Sequence, residues 1–302
     1  MPRRIYQSHH LDSTRWDEIV PRHDDIVVTT AYKAGTTWMQ RIVSLLVFQS
    51  TDLPGGISGN SPWVELRPML PREELRAVAA AMRHRRFFKS HCPVDAIPDR
   101  DDWKYIYVGR DPRDVFMSLV NHYGGHTPDA IALMNSGDFP GPKFIGFDGD
   151  VRGLWRRWTT EGAFAWESDG APYWSHLYHA RSYWDRRHAP NLLLVHYNDL
   201  KADLEGEMRR VGAFLGIETP DERWPEFVDA ASFATMKRDA DSLVPEAAHV
   251  WQGGGQRFIN KGTNGRWRDV LTDADLELYD AACARSLTPK LRSWLENGAG
   301  ER

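Results

Sequence analysis

Short β-branched or aromatic runs, separated by longer stretches with helical spacing, set the pattern of the chain. Ile26 to Thr30, Arg86 to Ser90, Lys104 to Val108 and Leu192 to Tyr197 are apolar runs of strand length. Trp38 to Gln49, Glu73 to Arg83, Pro112 to His122 and Lys201 to Leu215 carry apolar residues at helical spacing. Strands alternating with helices predict an α/β fold: a single domain over residues 1–302 with a central, mainly parallel sheet flanked by helices. Ligands of such sheets bind beyond the carboxyl ends of the strands. Lys33, His91 and Arg110 each follow a predicted strand, so the pattern brings three polar side chains to one sheet edge.

The alternation stops between Gly124 and Pro190, where Gly, Pro and Asp are scattered among Phe144, Trp155, Trp158, Trp174 and other aromatics. Residues 124–190 therefore read as an aromatic-rich insertion. A substrate-lining lid and a small core packed on the sheet both account for it, since most aromatics are simply buried. The tail from Glu296 to Arg302 is expected to fray.

The first strand-to-helix junction reads "TTAYKAGTTWMQ", residues 29 to 40. A sharp turn there leaves the first helical N–H groups unpaired and aimed at one spot, where the helix dipole favours negative charge. Gly35 lets the backbone approach, Thr36 and Thr37 add hydroxyl donors, and Lys33 adds a full charge. The junction is an anion site. It departs from the Walker order, in which lysine directly follows the second glycine, so the usual ATP or GTP chemistry is disfavoured. In "YVGRDPRDVFMSLVNHY", residues 107 to 123, Asp111 reads as a helix N-cap and Pro112 as the first helical residue. That leaves Arg110 at the strand end, with a planar fork suited to phosphate, and Ser118 about two turns into the helix.

Composition narrows the partners. With 38 basic and 42 acidic side chains the net charge is −4, so no overall basic field recruits nucleic acid, and an anion must be bound locally. The two cysteines, Cys92 and Cys283, form no CxxC pair, which argues against a disulfide framework or a zinc site and suits a reducing cytoplasm. The N-terminus has no apolar signal core, and no window reaches the ~18 apolar residues of a membrane span. His122 and His126 are four apart, but Gly124 and Gly125 interrupt the helix that would align them, and no HExxH glutamate is present. No metal is expected.

The first junction resembles the phosphosulfate loop of cytosolic sulfotransferases, T-Y-P-K-S-G-T-T-W, and the second block resembles that family's 3′-phosphate motif. "FFKSHCPVDAIP", residues 87 to 98, resembles the K-T-H-L-P strand end that bears the catalytic histidine. "FINKGTNGRWRDVL", residues 258 to 271, resembles R-K-G-x-x-G-D-W-K, with Asn260 where arginine is usual and Arg266 where aspartate is usual. Tyr197 in "LLLVHYNDLKADL", and Ser232, Phe233 and Met236 in "ASFATMK", match nucleotide-contacting stretches, although Ala231 replaces a usual threonine.

The resemblance implies transfer of a sulfuryl group from 3′-phosphoadenosine 5′-phosphosulfate (PAPS) to a hydroxyl, or less often an amine, of a small apolar or aromatic acceptor. The product nucleotide would be 3′-phosphoadenosine 5′-phosphate (PAP), and no metal would be required. Implied catalytic residues are His91 as general base, Lys33 and Lys89 on the transferring charge, and Ser118. Implied donor-binding residues are Lys33, Ala34, Gly35, Thr36, Thr37, Trp38, Arg110, Ser118, Tyr197, Ser232, Phe233, Met236, Asn260, Lys261 and Gly262. Two rival readings stand: a PAP-binding protein without catalysis, and a P-loop phosphotransferase. The family's short dimer motif, K-x-x-x-T-V-x-x-x-E, appears as Arg268, Thr272, Asp273 and Glu277. A homodimer through that patch is not indicated, because aspartate replaces valine.

Overall fold

Among the described residues four strands form the sheet: β1 (Ile26–Thr30), β2 (Phe87–Ser90), β3 (Lys104–Gly109) and β4 (Leu192–His196). The computed structural model describes residues 3–68, 70–144 and 146–298. The spatial order is β2-β1-β3-β4 and every pairing is parallel. The chain leaves β1 for β2 on one side and then returns to β3 on the other, so the strand order reverses beside β1. At such a reversal the loops after the flanking strands diverge and leave a crevice.

The sheet is buried on both faces, which explains the continuous apolar runs. Ile26, Val28, Phe87, Ile106 and Val108 point into one core, closed by helix Thr36–Phe48 through Met39, Ile42 and Leu46 and by helix Leu204–Leu215 through Met208 and Val211. The alternate residues Val27, Phe88, Tyr105 and Tyr107 point into the other, which takes Trp16, Leu75 of helix Arg72–Ala81 and Trp294 of helix Pro289–Asn297. This period-two split follows from the pleat.

Three sequence expectations shift. The helix expected from Lys201 to Leu215 is two, Tyr197–Ala202 and Leu204–Leu215, because Asp203 accepts a hydrogen bond from Gly206 N at 2.8 Å and acts as an N-cap. Tyr197 accordingly opens a helix and does not end a strand. In the tail, Glu296 and Asn297 are helical, and Glu296 accepts from Tyr279 Oη at 2.9 Å; residues 299–302 of the expected frayed segment lie outside the described residues.

Among its described residues the insertion holds three helices, Pro128–Met134, Val151–Thr160 and His176–Trp184. Most of its aromatics divide between two clusters, while Phe139 and Trp166 are exposed. Phe144, Tyr173 and Trp174 join the core under the sheet, while Trp155 and Trp158 pack with Phe116 and Tyr279. Thr272 caps helix Asp273–Ser286 in a reciprocal capping box with Asp275, and Arg152 donates to Asp275 at 2.7 Å. Both cysteines are free and buried. Among the described residues no helix is long and apolar enough to cross a membrane.

Candidate active site

All four strands end at one edge, and the segments that follow them line a cavity of about 490 Å³. Gly35 makes the turn out of β1 with φ 121°, and a Cβ there would approach Tyr197 Cδ2 at 3.2 Å. Glycine is therefore required for both conformation and space. Helix Thr36–Phe48 begins with no side-chain cap, so its leading N–H groups remain available to a ligand. Thr36 Oγ1 lies 2.5 Å from Thr30 Oγ1, which pins the start of the helix to the end of β1.

Lys33 has positive φ, 64°, and its Nζ sits 3.1 Å from His122 Nδ1 and over the Phe258 ring. Burial, with Lys89 and Arg110 adding repulsion, pulls its pKa down to about 7. His122 is held well below its ordinary value by burial and then by Lys33, so it is neutral and Nδ1 accepts from the ammonium. Lys89, on β2, lies over the Trp63 ring at 4.1 Å, and burial lowers it to about 8.

His91 follows β2 and is 4% exposed, wedged between Tyr32 and Trp63 with ring centroids 4.6 and 4.8 Å away. Its Nδ1 is 2.8 Å from the Thr30 carbonyl. A carbonyl only accepts, so Nδ1 carries the hydrogen and Nε2 keeps its lone pair. Burial, followed by the Lys89 charge, holds the ring neutral. Trp174 Nε1 donates to the His91 carbonyl at 2.6 Å and fixes the backbone.

Arg110 follows β3. It stacks on the Tyr197 ring at 4.0 Å and donates to Asn264 Oδ1 at 2.8 Å and Lys33 O at 3.3 Å, while its buried Nε finds no partner. Asp111 accepts from Arg113 N at 2.8 Å, as the N-cap reading requires, and the helix it starts, Pro112–Tyr123, carries Ser118 to the cavity wall. Trp38, Phe233, Met236, Asn260, Lys261 and Gly262 complete this end.

The expected site residues thus converge, with two exceptions. Ala34 is fully buried behind the turn, and Ser232 spends its hydroxyl accepting from Thr235 N as the cap of helix Phe233–Arg238; neither lines the cavity. Of the insertion's Phe, Trp and Tyr side chains, Phe144 alone among the described residues lines the cavity; most of the others pack in the two cores, and Phe139 and Trp166 are exposed. The aromatic wall comes instead from Tyr32, Trp63, Tyr123, Trp251 and Phe258. His122 was legible in principle, since it lies one turn beyond Ser118 on the same helix face. Trp63, Trp251 and Phe258 come from distant loops and the end of a five-residue helix, Gly254–Phe258, and no local signal marks them. His122 and His126 have ring centroids 5.0 Å apart, yet among the described residues no group of three or more His, Cys, Asp or Glu could hold a metal ion.

One end of the cavity thus gathers phosphate-type donors and the other an aromatic, apolar wall, with a neutral imidazole beside Lys89. Comparison with known proteins agrees. The chain is 33% identical to the glycolipid sulfotransferase of Mycobacterium tuberculosis (strain H37Rv) over 98% of this chain and 95% of that protein. It is 26% identical to rat sulfotransferase 1A1, over 88% and 85% of the two chains. Among solved structures, mouse sulfotransferase SULT7A1 with PAP superposes with TM-score 0.68 at 20% identity, covering 92% of this chain and 89% of that one. Retinol dehydratase with androsterone and PAP gives the same score at 21% identity, over 92% and 87%. Residues 23–293 match the sulfotransferase domain, so the chain belongs to the sulfotransferase family.

Proposed function

We propose that this sulfotransferase moves a sulfuryl group from PAPS to the hydroxyl, or less often the amine, of a small acceptor with an apolar or aromatic frame. The observation that carries the reading is a single cavity joining Lys33, the uncapped helix start and Arg110 to His91 and an aromatic wall. The donor fits these residues: Arg110 keeps a buried Nε without a partner, and the helix after Gly35 starts with no side-chain cap on its leading N–H groups.

The donor supplies the sulfuryl group and takes the electrons of the broken S–O bond onto its 5′-phosphate. His91 Nε2 accepts the acceptor's proton as the new O–S bond forms. Lys33 and the amides from Gly35 to Thr37 hold the charge that gathers on the phosphate, and Lys89 holds the sulfuryl oxygens. Arg110, Ser118, Lys261 and Gly262 grip the 3′-phosphate, and Tyr197, Trp38, Phe233 and Met236 enclose the base. No step calls on a metal. Residues 124–190 shape the acceptor end through Phe144 and Met134.

Hydroxyl-bearing lipids fit this wall, and the mycobacterial relative's name, glycolipid sulfotransferase, supports including them. Two buried free thiols support a cytoplasmic setting. The test is transfer from ³⁵S-labelled PAPS to a panel of alcohols, phenols, amines and glycolipids. Label should appear on at least one hydroxylated apolar acceptor without added metal. Tight PAP binding with no transfer to any acceptor would favour a non-catalytic binder, and magnesium-dependent transfer from ATP a phosphotransferase.

A further inference from the structure

Two guanidinium groups share the Arg110 end of the cavity. Arg110 is 5% exposed and Arg266 is partly buried; both line the cavity, and each has a buried Nε with no hydrogen-bond partner. Among the described residues neither forms an ion pair with a carboxylate. The carboxylate best placed to do so, Asp114, instead accepts from Gly265 N at 2.6 Å. That bond ties the loop bearing Arg266 to the helix bearing Ser118. Gly265 turns with φ 82°, which carries the chain from Asn264, already bonded to Arg110, directly into Arg266.

The Arg266 charge lies close enough to Arg110 to push the latter's pKa down, after burial has already done so. Two cations that repel each other in a partly dry cavity are costly unless an anion lies between them. A phosphate dianion suits such a pair, since each planar fork can donate to two of its oxygens. Asn260, on the same wall, offers only a neutral amide.

Resting on the donor reading above, we infer that Arg266 joins Arg110 in gripping the 3′-phosphate of the donor nucleotide, supplying the charge that Asn260 lacks. Arg266 thereby separates 3′-phosphorylated from plain adenine nucleotides. The aspartate-to-arginine and arginine-to-asparagine departures in this segment are then one exchange of position within the loop.

The test is calorimetric titration of the full chain with PAP and with adenosine 5′-phosphate, which differs only at the 3′-position. The native chain should prefer PAP. Arg266→Gln, which keeps most of the side chain's bulk, should weaken PAP about tenfold, as expected for loss of one charge-assisted hydrogen bond, and leave adenosine 5′-phosphate within about twofold. Adding Asn260→Arg to Arg266→Gln should restore part of the preference, which also guards against a loss caused by misfolding. An unchanged PAP affinity in Arg266→Gln, or equal weakening of both ligands, overturns the inference while the donor reading stands. A native chain that binds the two nucleotides equally overturns both.

Discussion

Lys33 shows how much of the site's chemistry is set by one buried side chain. Its pKa of about 7 means that near neutral pH a substantial share of the ligand-free protein carries a neutral amine there. A phosphate anion favours the ammonium, so binding raises the pKa and takes up a proton. Titrating PAP near pH 7.5 in buffers of different ionisation enthalpy should reveal that uptake, and affinity should fall as pH rises above 7. Lys33→Arg should abolish most of it, leaving only what Lys89, lowered to about 8, contributes. Uptake indistinguishable from zero in the native chain would contradict the assignment. His91 gives a complementary expectation. If its Nε2 takes the acceptor's proton, as proposed, His91→Ala should slow transfer by ~10²–10⁴-fold while PAP affinity stays within about twofold. Initial rates within a factor of about three of the native chain would mean that another group is the base. The position of both residues at the sheet edge was legible in the sequence, because His91 directly follows β2 and Lys33 lies in the turn just after β1. The hydrogen bond from Lys33 to His122 was not, since it depends on how a helix from 112 to 123 lies against a loop 80 residues earlier.

At the scale of elements, the four strands were legible to within a residue or two at every end, because β-branched and aromatic runs buried on both faces have little alternative. The helix starting at Pro112 was legible for a local reason, the Asp111 cap. The short helices between Trp224 and Phe258 were not, since helices of four to eight residues owe their stability to tertiary packing and leave little periodicity to read. The insertion was legible as aromatic-rich, yet its sequence did not distinguish lid from core. Trp155 is fully buried, and Trp174 is anchored to the His91 carbonyl, so helices Val151–Thr160 and His176–Trp184 should behave as core. Hydrogen exchange should therefore find their central amides protected comparably with β1 and β3, with or without PAP. Rapid exchange that slows markedly on adding nucleotide and acceptor would restore the lid.

At the scale of the whole molecule, the chain is acidic overall yet is built to hold a polyanion, so its donors act over hydrogen-bond distances and not as a long-range field. The same locality bears on self-association. In the segment that resembles the family's dimer motif, Arg268 lies on the Trp267 ring at 4.5 Å and Thr272 is committed to capping its own helix. Asp273, the first residue of that helix, is exposed, where its charge is favoured by the helix dipole. Pairing two copies here would press that carboxylate into a contact where valine is usual, and burying an unpaired carboxylate is strongly disfavoured. We expect any dimer of this chain to use another surface. Light scattering on a size-exclusion column should give the same mass for the native chain and for Asp273→Val and Glu277→Arg, neither of which touches the cap formed by Thr272 and Asp275. A native dimer that falls to monomer in Glu277→Arg, or one that is tightened by Asp273→Val, would show that this patch is the interface despite its altered chemistry.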